Sequence, residues 1–121
     1  MGGKAKVMES LGKHILLDLK GCSFVDSSVE VLHNMFSEAL RNGCFTIMSQ
    51  HYHQFEPHGV SGVYILAESH LSFHIWVELN FVSLDVYWCG KKCDEQILIN
   101  QITKFFQPQQ VYFKYLDRGV I

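Results

Sequence analysis

Two adjacent residues near the middle of the chain, Glu68 and Ser69, could break the peptide bond that joins them. If backbone strain turns the Glu68 carbonyl toward the Ser69 hydroxyl, attack by the hydroxyl oxygen converts the amide into an ester. Loss of the Ser69 α-proton then expels Glu68 as a carboxylate. The predicted products are residues 1–68 and residues 69–121.

The chemistry after cleavage would create a reactive carbonyl from Ser69. The dehydroalanine left at this position tautomerises and hydrolyses to a pyruvoyl group, whose ketone can condense with a substrate amine and accept the electrons released with carbon dioxide. Pyridoxal phosphate performs the same task but needs a lysine and a phosphate pocket. No Gly-rich phosphate loop adjoins a lysine here, so we do not expect pyridoxal phosphate.

Strand periodicity predicts polar faces around this bond. We expect Ser61 and Ser69 to lie in one strand with their side chains on the same face of the sheet, because side chains alternate along a strand. Adjacent antiparallel strands would then gather a hydroxyl, an imidazole, a carboxylate and a thiol near Ser69. The expected faces of the next two strands consist of His70, Ser72, His74, Trp76 and Glu78, and of Ser83, Asp85, Tyr87 and Cys89.

The segment around Glu68-Ser69 closely resembles the self-processing site of the small prokaryotic S-adenosylmethionine decarboxylases, and the resemblance runs from about residue 12 to residue 106. It is carried by Ala67-Glu68-Ser69-His70-Leu71-Ser72-Phe73-His74-Ile75-Trp76, by Leu84-Asp85-Val86-Tyr87-Trp88-Cys89-Gly90 and by Gly59-Val60-Ser61-Gly62-Val63.

The resemblance implies a role for each processing residue. Ser69 is the expected pyruvoyl precursor and Glu68 the residue released. Ser61 resembles the serine that hydrogen-bonds the ester. His74 resembles the histidine that removes the Ser69 α-proton, a task that suits histidine because the ordinary pKa of its side chain lies near neutrality. Cys89 resembles the thiol that returns a proton to the substrate carbon. Taken singly, Ser61, His74 and Cys89 also have ordinary structural interpretations.

Substrate contacts are implied in the same way. Phe55, in His53-Gln54-Phe55-Glu56-Pro57-His58-Gly59, corresponds to an aromatic that stacks on adenine, and an aromatic face also suits a sulfonium cation. Glu78 corresponds to a carboxylate that accepts hydrogen bonds from ribose hydroxyls. Leu71 would offer backbone contacts to the adenine edge.

One loop departs from the family pattern. Where the family usually has Pro-Glu-Tyr-Gly after the tryptophan, this chain has Val77-Glu78-Leu79-Asn80. Loss of the proline and the aromatic changes the pocket wall and not the self-cutting residues. The leading function is decarboxylation of S-adenosylmethionine to the aminopropyl donor for spermidine synthesis. A pyruvoyl-dependent ornithine or arginine decarboxylase, or an unprocessed non-catalytic homologue, remains an alternative.

Apolar spacing predicts the elements that position these residues. We expect one helix over 28–41, with a Ser27-to-Glu30 capping box at its start. A second helix is expected to follow a cap at Asp94. Predicted strands cover 14–19, 44–55, 60–69, 70–77, 81–89 and 111–115. The fold class is α+β, a two-layer sandwich with an antiparallel sheet and helices on one face, in a single domain over 1–121.

Composition excludes several classes of protein. Ten basic and twelve acidic residues give a net charge of −2 without a basic stripe, so nucleic acid is not an expected partner. No apolar run is long enough for a signal peptide or a membrane span, and a cytoplasmic enzyme is expected. An exposed sheet face bearing aromatic side chains predicts a homodimer of cleaved protomers. The resemblance also implies such a dimer, with active sites completed at the subunit boundary.

Cysteine and histidine spacing does not indicate a metal site. Structural zinc sites use closely spaced ligand pairs, and Cys89-x-x-x-Cys93 has no second cysteine pair. We expect no metal, although His51, His53 and His58 could be grouped with these two cysteines. A cytoplasmic chain would also keep its cysteines reduced, so we expect four free thiols.

Overall fold

The structure is a computed structural model that describes residues 10–120. It contains six strands and two α-helices in the order β1, α1, β2, β3, β4, β5, α2, β6, with one turn of 3₁₀-helix, Val77–Leu79, between β4 and β5. Both ends of the predicted single domain, residues 1–9 and 121, lie outside the described residues. The bounds are β1 Ser10–Lys20, α1 Val29–Asn42, β2 Ile47–Gln54, β3 Val60–Leu66, β4 Ser69–Trp76, β5 Phe81–Trp88, α2 Glu95–Phe106 and β6 Gln110–Val120.

All six strands form one sheet in the order β2-β3-β4-β5-β1-β6, and every neighbouring pair is antiparallel. β4 therefore has a paired strand on each side. The two helices pack on one face, and the predicted two-layer α+β sandwich is confirmed. The opposite face, which we call the open face, carries the polar half of each alternating strand pattern.

The core lies between the helices and the inner face of the sheet. Ile15, Leu17 and Leu19 of β1 are buried, as their alternation predicts. Phe36 of α1 stacks on Phe73 of β4 with ring centroids 4.2 Å apart. Burying one such side chain stabilises the fold by about 1.5–3 kcal/mol, so this packing fixes β4 against α1.

Side-chain caps set where the helices begin. Ser28, not Ser27, caps α1: its hydroxyl accepts a hydrogen bond from the Val31 N–H at 3.1 Å. Ser27 instead donates to the Phe24 carbonyl. The Asp94 carboxylate accepts from the N–H groups of Gln96 and Ile97, which confirms the predicted cap of α2.

The predicted strand over 60–69 is wrong at its end. β3 stops at Leu66, which pairs with Ser69, so Ala67 and Glu68 form a two-residue turn and Ser69 opens β4. Neither turn residue is Gly, Pro, Asn or Asp, the usual sequence signals of a turn. The Glu68–Ser69 bond therefore lies at the exit of a tight hairpin.

Other strand bounds also differ from the prediction, and β1 begins at Ser10 rather than at residue 14. β2 begins at Ile47 rather than at residue 44, because Cys44 adopts a left-handed backbone with φ of 64° after α1. β5 ends at Trp88, one residue before Cys89. β6 continues to Val120 because it pairs with β1 along nearly its whole length. The longer β6 brings Arg118 beside the open face of β1.

Candidate active site

Ser69 has an unusual backbone at the start of β4. Its φ is +150°, a conformation that residues with a side chain rarely adopt. Strain of this kind costs on the order of 1–3 kcal/mol and persists only where surrounding contacts enforce it. Here the neighbours are two paired strands, because Ser69 lies opposite both Leu66 and Trp88.

The carbonyl of Glu68 is held from the end of β5. Its oxygen accepts a hydrogen bond from the Cys89 N–H at 3.0 Å and a second, from the Cys89 thiol, at 3.4 Å. Two donors on one carbonyl oxygen stabilise negative charge that develops there when a nucleophile attacks the carbon. The carbonyl next to Ser69 is therefore polarised for attack.

The side chain of Glu68 is held from the other side of the turn. Its carboxylate accepts one hydrogen bond from the Thr46 N–H and one from the Thr46 hydroxyl, both at 3.0 Å. The Ala67 N–H donates to the Thr46 carbonyl at 2.9 Å. Thr46 was not among the predicted site residues, and its only sequence signal is a polar residue just before β2.

Ser61 and His74 form a second group at the other end of β4. The Ser61 hydroxyl lies 2.8 Å from Nδ1 of His74, and the two residues are opposite each other in β3 and β4. At about 3.3 Å per residue, His74 lies roughly 16 Å along the strand from Ser69. The expectation that Ser61 shares its facing and strand with Ser69 is wrong, because the turn at Ala67–Glu68 separates them.

A cleft of about 280 Å³ opens beside Ser61 and His74. Phe55 is 47% exposed at its edge. The Glu78 carboxylate lies 3.9 Å from the His58 ring. The cleft is lined by Phe55, His58, Gly59, Ser61, His74, Ile75, Trp76, Val77 and Glu78. Two of the three predicted substrate contacts, Phe55 and Glu78, therefore share this cleft with the serine–histidine pair.

Leu71, the third predicted substrate contact, lies in the core. Its side chain is fully buried, and its backbone is flanked by Tyr64 in β3 and Val86 in β5. The structure places it apart from the cleft that contains Phe55 and Glu78.

A polar network occupies the middle of the open face, between the two groups. The Asp85 carboxylate accepts hydrogen bonds from His14 at 2.7 Å, from His70 at 3.0 Å and from the Ser72 hydroxyl. Burial alone would raise the pKa of Asp85, but the bonds from Ser72, His14 and His70 outweigh it and lower that pKa. Asp85 is therefore a partly buried, stably ionised carboxylate.

His14, His70 and Asp85 also place three ligand atoms within 4.8 Å of one another, a set that could suit a metal ion. Arg118 argues against coordination by His14, because its guanidinium contacts His14 Nδ1 at 2.7 Å and can only donate. His14 Nδ1 must then accept this hydrogen bond, so the ring proton is on Nε2, which donates to the Asp85 carboxylate. A metal-bound histidine needs the opposite tautomer, and the contacts fit a hydrogen-bond network instead.

The four cysteines are free thiols, as expected. Burial raises the pKa of Cys22 to about 11. Burial, together with the nearby Glu68 charge, also raises the pKa of Cys93 to about 11. Both thiols stay protonated near neutral pH and suit packing roles. Cys89 differs from them because it is exposed and contacts the Glu68 carbonyl.

Over residues 10–120, none of the helices combines the length and the apolar character needed to cross a bilayer.

Comparison with known proteins agrees with the geometry. The S-adenosylmethionine decarboxylase family profile matches residues 13–119. The S-adenosylmethionine decarboxylase proenzyme of Picrophilus torridus is 39% identical to this chain, over 91% of this chain and 85% of the relative. The proenzyme of the same name from Methanococcus maripaludis strain C5 is 36% identical, over 94% of each chain. The crystal structure of the adenosylmethionine decarboxylase from Aquifex aeolicus superposes with a TM-score of 0.85 at 35% identity, covering 93% of this chain and 94% of that one. The chain therefore belongs to the S-adenosylmethionine decarboxylase family.

Proposed function

We propose that this chain is the proenzyme of a pyruvoyl-dependent S-adenosylmethionine decarboxylase that cuts itself between Glu68 and Ser69. The observation that carries the proposal is the Glu68 carbonyl, held by two Cys89 donors directly before a strained Ser69. Family membership supports the same reaction. The products are residues 1–68 and residues 69–121.

The first step is attack of the Ser69 oxygen on the Glu68 carbonyl carbon. The carbonyl oxygen gains negative charge, and the Cys89 N–H and thiol stabilise it. The C–N bond then breaks, the nitrogen takes the hydroxyl proton and an ester joins Glu68 to the Ser69 oxygen. Relief of the Ser69 backbone strain favours this rearrangement.

The second step removes the Ser69 α-proton and breaks the bond between Cβ and the ester oxygen. Glu68 leaves as a carboxylate, and water replaces the nitrogen of residue 69, which departs as ammonia. The pyruvoyl group formed in this way supplies a carbonyl that takes up the substrate amine and the electrons of decarboxylation. Cys89 is suited to return a proton to substrate carbon because its thiol already lies at the cleavage point.

His74 cannot remove this proton within one chain, since it lies roughly 16 Å away along β4. We propose that Ser61 and His74 act on Ser69 of a second copy. A two-fold axis that passes near the middle of β4 would place the β4 strands of two protomers across the interface in opposite directions. The His74 end of one β4 then lies over the Ser69 end of the partner's β4. The functional unit is then a homodimer with the two open faces together.

The same dimer completes the substrate site. Phe55 and Glu78 share the cleft with Ser61 and His74, so all four approach the partner's Ser69 as one group. An aromatic face and a carboxylate suit a sulfonium nucleoside. They would also suit the cationic side chain of ornithine or arginine, and the changed loop Val77–Leu79 borders this cleft.

Carbon dioxide release separates these substrates. Purified, processed protein is given S-adenosylmethionine, ornithine or arginine labelled at the carboxyl carbon, and released label is counted. We expect release from S-adenosylmethionine alone. Release from ornithine or arginine without release from S-adenosylmethionine would overturn the substrate assignment while leaving the self-cutting intact. An uncut, inactive chain under all expression conditions would instead identify a non-catalytic homologue.

A further inference from the structure

Thr46 contacts the turn Ala67–Glu68, which we call the cleavage turn. The proposed reaction assigns no role to these contacts. Its N–H and hydroxyl both donate to the Glu68 carboxylate, and its carbonyl accepts from Ala67. Thr46 thus forms hydrogen bonds with both residues of the turn, Ala67 and Glu68. The pairing of Leu66 with Ser69 already closes the hairpin, and Thr46 takes no part in that pairing.

Glu68 is consequently held at two points, both on the N-terminal side of the bond that breaks. Thr46 holds its side chain, while Cys89 holds its carbonyl oxygen. A residue fixed at only one of these points could rotate and relax the φ of +150° at Ser69. Two anchors restrict rotation of the Glu68 peptide group more than either anchor alone.

Thr46 is itself fixed by its neighbour in the chain. Phe45 is 3% exposed, its N–H donates to the Leu40 carbonyl at the end of α1, and its ring lies 6.3 Å from the ring of Trp88. The anchor therefore belongs to a rigid junction between α1 and β2. Trp88 lies opposite Ser69 in the sheet, so one packing contact joins both sides of the cleavage point.

We propose that Thr46 is a positioning residue for self-processing: it holds the Glu68 side chain so that the Glu68 carbonyl stays in the geometry from which Ser69 attacks. The inference rests on the proposed self-cleavage and assigns Thr46 to the first step, formation of the ester. Thr46 touches neither the reacting hydroxyl nor the carbonyl carbon, and it acts through Glu68.

The test follows cleavage of freshly synthesised chain in a cell-free reaction, by gel and by mass. Thr46→Val removes the hydroxyl but keeps the shape, and we expect cleavage to slow roughly ten- to a hundredfold, the effect of losing a hydrogen bond to a charged group. Thr46→Ser restores the hydroxyl and is expected to cut within about twofold of the wild-type rate. Thr103→Val is the matched control, because the Thr103 hydroxyl donates to carbonyls within α2, away from the cleavage turn.

Hydroxylamine identifies the step that Thr46 serves, since it cleaves the ester to a Glu68 hydroxamate without removal of the α-proton. We expect Thr46→Val to slow spontaneous and hydroxylamine-driven cleavage in the same proportion. Rescue by hydroxylamine to the wild-type rate would place Thr46 after ester formation and overturn the inference. So would cleavage of Thr46→Val at the wild-type rate, or equal slowing in Thr103→Val.

A second variant keeps the test open if Thr46→Val folds poorly. Glu68→Asp keeps the carbonyl but withdraws the carboxylate from Thr46, and we expect similar slowing. Adding Thr46→Val to Glu68→Asp should then slow cleavage little further, because Glu68→Asp already removes the hydroxyl bond that Thr46→Val breaks. Fully multiplicative effects would contradict the inference. Failure of the wild-type chain to cut would overturn the proposed function instead, so the two failures are distinguishable.

Discussion

At the scale of single residues, the site depends on what surrounds one carbonyl group. The sequence indicates Glu68, Ser69 and Cys89 through chemistry and resemblance. It does not reveal that Cys89 contacts the Glu68 oxygen, or that Thr46 holds the Glu68 side chain. Those contacts depend on strand register across the α1–β2 junction and the end of β5, which no local pattern encodes.

Replacing Cys89 should affect the two reactions unequally. Cys89→Ala removes the thiol at 3.4 Å but keeps the backbone donor at 3.0 Å. We expect cleavage to slow by less than about tenfold, and decarboxylation per processed site to fall on the order of a hundredfold or more, as for loss of a general acid. Gel analysis and carbon dioxide release measure the two rates. Cys44→Ser is the control, and undiminished turnover in Cys89→Ala would remove this thiol from the mechanism.

The network around Asp85 predicts a pH-dependent stability. The pKa of Asp85 is lower in the folded protein than its ordinary value of 3.8. Its stabilising effect is therefore fully present above pH 3.8 and is lost as pH falls through the lower folded pKa. Asp85→Asn should cost about 1–3 kcal/mol at pH 7 and less in acid.

Urea unfolding of uncut Ser69→Ala protein, with and without Asp85→Asn, measures this difference at pH 7 and pH 3. The Ser69→Ala background keeps one chain, so that unfolding can be treated as two-state. A free-energy difference between the two proteins that does not shrink in acid would contradict the assigned hydrogen bonds.

At the scale of elements, periodicity predicted the helices and the strand faces well, because amphipathic spacing directly reports burial. It failed at the β3–β4 turn, where Ala67 and Glu68 carry no turn signal and the register of Leu66 with Ser69 decides the boundary. That failure matters for function, since the misplaced boundary put Ser61 and Ser69 on one strand. Boundaries depend on long-range pairing that a local window does not contain.

The cap of α2 gives a prediction at this scale. The Asp94 carboxylate accepts from two N–H groups that have no partner within the helix. Asp94→Ala should lower the free energy of unfolding by about 1–2 kcal/mol. Asp26→Ala, at an exposed turn before α1, should change it by less than about 0.5 kcal/mol. Denaturant unfolding in the Ser69→Ala background compares them, and equal effects would show that the cap contributes nothing specific.

At the scale of the whole molecule, β4 separates two groups of residues that the proposed reaction needs together. Ser69 and Cys89 lie at one end of β4, and Ser61 and His74 at the other. Exposed apolar side chains on the same face, including Leu16, Ile65, Trp76 and Tyr112, favour burial against a second copy. The resemblance implies a homodimer whose active sites are completed at the subunit boundary, and this stays a prediction. Strand periodicity alone had gathered both groups around Ser69 in one chain.

Mixed dimers test this arrangement. His74→Ala chains keep Ser69, and Ser69→Ala chains keep His74, so each alone should cut slowly or not at all. Co-expression should restore cutting of the His74→Ala chain, because its partner supplies the missing imidazole. The control partner is the Ser69→Ala/His74→Ala double variant, which should restore nothing. Absence of complementation, with mixed dimers demonstrated by differential tags, would contradict action across the dimer.

The mass of the fragment of residues 69–121 tests the central claim most directly. Self-cutting by Ser69 predicts that the purified wild-type protein separates into residues 1–68 and a second fragment whose front residue lacks an amino group and is lighter than serine by one ammonia. Ser69→Ala should remain a single chain. A second fragment that begins with an ordinary serine, or a Ser69→Ala chain that still splits after Glu68, would show that an external protease makes the cut and would contradict the account.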